Sequence, residues 1–508
     1  MSNVNVSKKQ HSKNLIINIL AFGVQFIISF YISPQIVGQI GASAYGFIGL
    51  ANDFVSYGAI IATVFNSVAA RFIAEAFFKK DYDTANYFFN SLIVVNIIIS
   101  TVLSIISIVF VYNIDMILNV PKDLLSDVKL TFLLIFLSYI VSLLTLVFTT
   151  STFITNRTDI QGIRNILQYI IRFILIIIFL NFFAIRIYWV ALAILLSNSA
   201  VAILNIRLTK KLTPELVVDL KRYKKEYVII LAKAGCWMSL TSISTILLRG
   251  LDLTIANLFI GDYEMGLLSI ARTIPNNITS VINTIAPLFT PMFLLWFTKG
   301  EVPRLVKSVK ESINNMALIL FVPITGIIVY SSDFYSLWQK SLNSDEIATI
   351  TMLSSLTVIQ AYFNATTSTM AQISVVVNKL KIPVIVTLLC GVVSLVVEIL
   401  MIKVFNMGLL SIVVSTTVVI IIRYIFFNSI YVARCLNISP KEFLTTILRT
   451  WILIPVLLIV MISIKEAIPI SSWGVFLIDA IMSAVAGYIL VILVLKKDIF
   501  KKIREQWR

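Results

Sequence analysis

Leu247–Ile282 reads LLRGLDLTIANLFIGDYEMGLLSIARTIPNNITSVI: the end of one long apolar segment, a six-residue polar turn at Gly261–Gly266, and the start of another. Both segments are apolar enough to cross a bilayer, yet the first carries Arg249 and Asp252 and the second Arg272. Ionisable groups at membrane depth are costly, face a cavity in most proteins and mark function there. At about 100° per residue, Ser242, Thr245, Arg249 and Asp252 share one face of the first helix. Arg272, Asn276, Ser280, Asn283 and Pro287 share one face of the second. Such stripes cannot point into lipid, so the two helices are expected to form half of a water-filled translocation cavity.

The composition agrees. Of 508 residues, 59% are apolar and 13% charged, against roughly 25% charged in soluble domains, and the mean hydropathy is +0.96. A polytopic all-α membrane protein follows. One histidine (His11) and three scattered cysteines (Cys236, Cys390, Cys435) leave no material for a His/Cys metal site or a disulfide framework. The net charge of +16 does not point to nucleic acid, because lysine and arginine concentrate in alternate loops, the positive-inside pattern. The basic Lys8, Lys9 and Lys13 precede Asn14–Ser33, with no small-residue cleavage site after it, so a retained first helix is expected.

Fourteen spans of roughly 20–30 residues fit the chain, centred near Phe22, Tyr57, Ser100, Ile140, Leu175, Leu195, Thr245, Ser280, Leu320, Ile359, Ser394, Val418, Leu458 and Gly487. With the amino end inside, only Lys122, Lys129, Arg186, Lys340, Lys403 and Lys465 fall in outward loops. The inward loops hold the bulk, including Arg157/Arg164 and the cluster at 207–225. Both termini are therefore expected in the cytoplasm. In the linker Arg207–Tyr227, Thr213 before Pro214 reads as an N-cap and a first helical proline, the start of a short basic helix on anionic lipid. The tail KKDIFKKIREQWR reads as an amphipathic interfacial helix, and Ser439-Pro-Lys-Glu442 has capping-box spacing for a third.

An internal repeat organises the rest. Val37-Gly38, a short outward turn and Tyr45-Gly46-Phe-Ile-Gly-Leu-Ala51 match Ile260-Gly261, a turn and Met265-Gly266-Leu-Leu-Ser-Ile-Ala271, six spans later. Two parallel six-helix lobes are expected around a central cavity, an N-lobe at 1–206 and a C-lobe at 228–434. The basic linker 207–227 joins them, two extra helices follow at 435–495, and a basic tail at 496–508. Equivalent helices of the first lobe also carry polar stripes: Asn14, Asn18, Gln25 and Ser29, then Asn52, Ser56, Thr63 and Asn66 with Asp53 and Tyr57 beside them.

Arg249 and Asp252, three apart, either neutralise each other or serve cargo. The spans hold Arg172, Lys233, Arg249, Arg272 and Arg423 against Asp53, Asp252, Glu398 and Asp479; Lys233 and Asp479, near helix ends, are expected to snorkel. The deep cations are then all arginine, whose fork matches phosphate oxygens and stays charged at any depth. Arginines among amides and hydroxyls suit a polar, anionic, sugar-bearing cargo. Asp81-Tyr-Asp83 has the DxD form of metal-binding glycosyltransferases but reads as a solvated loop beside Lys79 and Lys80. No Gly-rich phosphate loop ending in Gly-Lys-Ser/Thr exists, so directly ATP-driven transport is not expected. No loop exceeds about twenty-five residues, so with no extramembrane domain to hold an active site no enzyme activity, cofactor or metal is expected.

The glycine turn, Asp252, Ile255, Phe259-Ile260-Gly261 and Met265-Gly266-Leu267-Leu268-Ser269-Ile270-Ala271 resemble the polysaccharide or O-antigen flippases of the multidrug/oligosaccharidyl-lipid/polysaccharide (MOP) exporter superfamily, with Leu268 in place of their usual tyrosine. The resemblance implies alternating access and export of an undecaprenyl-diphosphate-linked oligosaccharide repeat unit for capsule or O-antigen. It implies a monomer working among membrane lipids beside a polymerase and glycosyltransferases. The cavity residues expected are Arg249, Asp252, Arg272, Asn276, Ser280, Asn283, Asn18, Gln25, Asn52, Asp53 and Ser56, with Asp53 and Glu398 as candidates for a coupling cation. A cation-coupled multidrug antiporter of the same superfamily and a membrane polysaccharide polymerase stay open as alternatives; the short outward loops count against the second.

Overall fold

The computed structural model describes residues 8–495; before Gly23 it describes the side chains of Asn14, Ile17, Leu20 and Ala21 alone. All described regular structure is helical. The helix α1 (Lys8–Ile40) runs 33 residues and carries no charge after Lys13. Thirteen further helices are long and apolar enough to cross a membrane. In the first half these are α2 (Ala42–Phe78), α3 (Tyr82–Tyr112), α4 (Leu125–Ile154), α5 (Thr158–Phe182), α6 (Tyr188–Leu212) and α7 (Lys225–Gly250, continued by Asp252–Phe259). In the second half they are α8 (Asp262–Thr298), α9 (Val302–Trp338), α10 (Ser344–Val376), α11 (Lys381–Lys403), α12 (Leu409–Cys435), α13 (Lys441–Ala467) and α14 (Trp473–Leu495). The chain is thus a multi-pass integral membrane protein with the expected helical layout.

Two compact units emerge, Met1–Gly266 and Leu267–Arg508. This division follows packing, whereas the lobes drawn above follow the sequence repeat. The seventh span lies along α2 because small residues one turn apart let the backbones meet. A Cβ at Gly235 would stand 1.8 Å from the Val64 carbonyl oxygen, and Ser239 Oγ donates to the Ile60 carbonyl at 3.0 Å. In the second unit, α9 is the central helix. Phe321 meets the Tyr362 ring of α10 edge-on at 5.1 Å, the Thr325 and Tyr362 hydroxyls bond at 2.7 Å, and Gly487 of α14 seats against Val322.

Four local expectations are corrected. The chain does not turn at Gly38: α1 persists to Ile40 and the reversal falls on Gly41, whose φ of 99° belongs to glycine. The polar run Gly261–Gly266 is not a loop either, since α8 begins at Asp262, where Asp262 and Glu264 complement the helix amino end. Arg164 is not in a loop but buried within α5. Asp479 does not snorkel; it is 0% exposed in α14.

The linker holds no basic amphipathic helix. The α6 helix runs on through Lys211, Thr213 ends it rather than starting another, and the following residues form an extended strap with one 3-10 turn at Leu220–Arg222. Two asparagines one turn apart on α3 fix the strap through its backbone. Asn86 donates to the Glu215 carbonyl and accepts from the Val217 amide, both at 2.8 Å. Asn90 donates to the Val217 carbonyl at 2.9 Å and accepts from the Asp219 amide at 2.8 Å. Ser91 pairs with the Lys224 backbone, accepting at 3.0 Å and donating at 3.2 Å. An isolated helix of this length is marginal, whereas each Asn rung satisfies two strap groups at once. A helix does begin at Lys441, but without a side-chain cap from Ser439. The tail 496–508 lies outside the described residues.

Candidate translocation site

In the first unit, the site forms where α7 breaks. Residues Ile246–Gly250 make a π-turn and Leu251 leaves the helix before Asp252 restarts it, so Thr245, Arg249 and Asp252 do not continue one straight stripe. A wide turn frees backbone groups and recurs at functional positions. Here Tyr57 of α2 covers it, its hydroxyl donating to the Gly250 carbonyl at 2.5 Å and lying 3.0 Å from Thr254 Oγ1. This contact brings the α2 turn holding Asn52, Asp53 and Ser56 beside the break holding Arg249 and Asp252. Asn52 and Ser56 are exposed and bond only up their own helix, Asn52 to the Ile48 carbonyl at 2.7 Å and Ser56 to the Asn52 carbonyl at 3.1 Å. Asp53, Arg249 and Asp252 are half-buried, and each has a partner.

The remaining first-unit candidates separate from this group. Gln25 on α1 accepts from the Tyr169 hydroxyl of α5 at 3.0 Å; the Asn18 side chain lies outside the described residues. Asn14 serves structure, its Oδ1 accepting from the Asp159 amide at the start of α5 at 3.0 Å. Asn66 is spent in a reciprocal amide pair with Asn96 of α3, at 2.9 and 3.2 Å.

In the second unit, α8 carries half-buried Arg272 followed by exposed Asn276, Ser280, Asn283 and Pro287. Pro275 inside the helix cannot bond the Ala271 carbonyl. The buried Tyr335 hydroxyl of α9 stands 3.5 Å from that carbonyl while donating to Ser354 at 2.8 Å. The proline turn beside Arg272 is thereby backed by α9 and α10. Glu398 on α11 is 3% exposed, one turn from Ser394, which reaches Thr416 of α12 at 3.4 Å.

Arg172, on α5, is a further deep cation. It donates to Ser197 Oγ at 3.4 Å and Asn198 Oδ1 at 3.3 Å on α6. Asn198 also bonds Gln168 and donates to Ser138 of α4 at 2.6 Å. The spacing Gln161, Asn165, Gln168, Arg172 marks one helix face, a signal that could have placed this neutral cradle in advance. The DxD is accounted for by structure: Asp81 caps α3 through the Thr84 amide at 3.0 Å and Asp83 pairs with Arg222 at 3.3 Å. The Thr84 bonds hold the Asp81 carboxyl below the usual range. Among the described residues no three His, Cys, Asp or Glu side chains gather as a metal site.

Membrane helices that carry polar and charged stripes around broken or bent turns define a transporter fold. Solved structures share it. "Lipid II flippase MurJ, inward closed conformation" superposes with a TM-score of 0.71 at 14% identity, covering 96% of this chain and all of that one. An inward-facing multidrug resistance MATE family transporter of the MOP superfamily gives 0.66 at 14% identity, covering 84% and 99%. A curated relative, the uncharacterized membrane protein EpsK of Bacillus subtilis (strain 168), is 26% identical over 439 residues, 86% of this chain and 85% of that protein. The chain belongs to the polysaccharide biosynthesis protein family, matched over residues 12–294.

Proposed function

We propose that the protein flips an undecaprenyl-diphosphate-linked oligosaccharide repeat unit across a bacterial cytoplasmic membrane by alternating access of two six-helix lobes, for capsule or O-antigen assembly. The observation that carries this reading is the α8 face: an intramembrane arginine heading a run of exposed Asn276, Ser280 and Asn283, in a chain of the polysaccharide biosynthesis family. Arg272 takes the diphosphate with its planar fork, and amides and hydroxyls take sugar hydroxyls. Arg249, Asp252, Asn52, Asp53 and Ser56 supply further polar contacts to the cargo. Asp53 or Glu398 binds the coupling cation. The protein acts as a monomer, termini in the cytoplasm, alongside a polymerase and glycosyltransferases.

Cells lacking the protein should lose surface polysaccharide and accumulate the lipid-linked unit in the inner leaflet. The purified protein in vesicles should move that labelled unit across. The fold shared with MATE transporters and the buried Glu398 favour a cation-coupled drug antiporter as the second reading. Efflux of a cationic dye, with polysaccharide unaffected by deletion, would establish that instead. Reporter fusions at Lys80, Lys224 and Lys307 should read inside and those at Lys122, Lys340 and Lys465 outside; two reversals would overturn the orientation.

A further inference from the structure

A cavity of about 610 Å³ opens in the second unit between the start of α11 and the last turns of α12, inside the ~300–1,000 Å³ range of small-ligand sites. Its walls are Ile382, Phe426, Phe427 and Ile430, and Lys379 and Arg434 stand among its lining residues. The construction is specific. A π-turn at Arg423–Asn428 widens α12, leaving Phe426 61% exposed while Phe427 stacks on Tyr431 at 5.1 Å and 15°. The Tyr431 hydroxyl donates to the Lys379 carbonyl at 2.9 Å. The Lys379 amide in turn donates to the Ser374 carbonyl at 2.9 Å, so the backbone that carries the ammonium group is fixed.

Among the described residues the lining contains no aspartate or glutamate. A comparable cavity of about 570 Å³ lined by Lys307 and Lys310 differs in this respect, because Glu442 in its wall pairs with Lys310. Two exposed cations without a lining carboxylate call for an anion, and an aromatic and aliphatic wall calls for hydrocarbon. Basic pockets between membrane helices take acidic lipid head groups in this way. We propose that this groove is a binding site for an anionic phospholipid of the bilayer, its phosphate between Lys379 and Arg434 and an acyl chain along Ile382, Phe426 and Ile430. On the orientation proposed above, the lipid belongs to the cytoplasmic leaflet.

The test uses full-length protein in phosphatidylcholine nanodiscs, titrated with dioleoylphosphatidylglycerol and read by native mass spectrometry. Wild-type protein should retain the anionic lipid over phosphatidylcholine. The double variant Lys379→Gln/Arg434→Gln, with both changes on exposed side chains, should bind it roughly thirtyfold more weakly, as expected for two basic contacts to an acidic lipid. Ile430→Trp fills the groove and leaves both cations in place; it too should lose the lipid. Equal retention by the charge variant overturns the proposal, as does undiminished binding to Ile430→Trp. Competition by glycerol phosphate at equal concentration would make this a soluble-anion site. Preferential displacement by undecaprenyl phosphate would assign the groove to a polyprenyl lipid. Either result also overturns the proposal, and none bears on whether polysaccharide is exported.

Discussion

The second and eighth helices are copies of one segment put to different uses. Gly41, Gly46 and Ala51 correspond to Gly261, Gly266 and Ala271, each pair 220 positions apart. Each helix starts directly after its turn glycine. The two copies also touch: a Cβ at Gly46 would lie 2.9 Å from the Gly266 Cα, and one at Gly266 would lie 2.3 Å from the Ala42 carbonyl oxygen. At the next residue the chemistry diverges. The first copy has Asn52 and Asp53 where the second has Arg272 and Thr273. Lower still, Asn66 is consumed in packing against Asn96, whereas its counterpart is the buried Ala286. The glycine turn is thus the part of the repeat under geometric constraint, and the residues after it differ in chemistry.

The sharpest way to break this contrast is at its point of divergence. Arg272→Ala should cut polysaccharide export roughly 10- to 100-fold, the worth of hydrogen bonds to a charged group, at unchanged protein level. Arg272→Lys should rescue in part, because an ammonium group cannot make the forked contact. Asn52→Ala at the equivalent position should cost only a few-fold. An effect of Asn52→Ala as large as that of Arg272→Ala, in the same export assay, would erase the distinction.

Next comes what the copies share. Gly46→Ala and Gly266→Ala should each destabilise the protein by about 1–3 kcal/mol through overpacking, measured by thermal unfolding in detergent. A cysteine pair at Ala42 and Tyr263 bridged by a short reagent should stop export until it is reduced. Full export with the bridge formed would mean that these turns need not separate.

A smaller effect is expected of Asn66→Ala. It removes the donor to Asn96 Oδ1, while Asn96 Nδ2 keeps the Leu143 carbonyl at 3.2 Å, and should cost about 1–2 kcal/mol of stability, with export per folded molecule unchanged. Impaired export at normal stability would return Asn66 to the cavity.

The smallest effect involves Asp115, between α3 and α4. Lys129, 2.9 Å from Asp115, holds that exposed carboxyl below its usual range by hydrogen bonding to it. A depressed carboxylate contributes stability above its unfolded pKa of about 3.9, and that contribution is lost as pH falls through the folded value. The melting difference between wild type and Asp115→Asn should therefore stay constant from about pH 5 to 8 and shrink below about pH 4. A difference that grows in acid would contradict the pairing.

The number and order of helices could be read from the sequence because apolar length is a property of each segment alone. The α8 stripe could be read for the same reason: Arg272 through Asn283 stay on one regular helix. The α7 stripe could not, since periodicity assumes a constant turn and the π-turn at Ile246–Gly250 changes it. The amides of Asn66, Gln168 and Asn198 look alike in sequence; whether one faces a cavity or another amide is decided by helices distant in the chain. Asp479 failed for a related reason. It is near a helix end, but Tyr330 and Ser483 bond at 2.6 Å where α9 meets that helix, and the packing there closes over the carboxylate.

The strap between the sixth and seventh spans has a consequence for how this connector can vary and be engineered. Asn86 and Asn90 contact main-chain atoms alone, two strap residues per helical turn, so the side chains of Glu215 and Val217 are free to change, whereas the Asp219 carboxylate caps the 3-10 turn by accepting from the Lys221 amide at 3.1 Å. Leu216, between the rungs, is held in a buried cluster. Epitope or label substitutions at the exposed Val217 and Val218 leave the lacing intact. Inserting or deleting a single residue puts the amide of one rung opposite the wrong group of the strap, so the segment is permissive in spelling and strict in length.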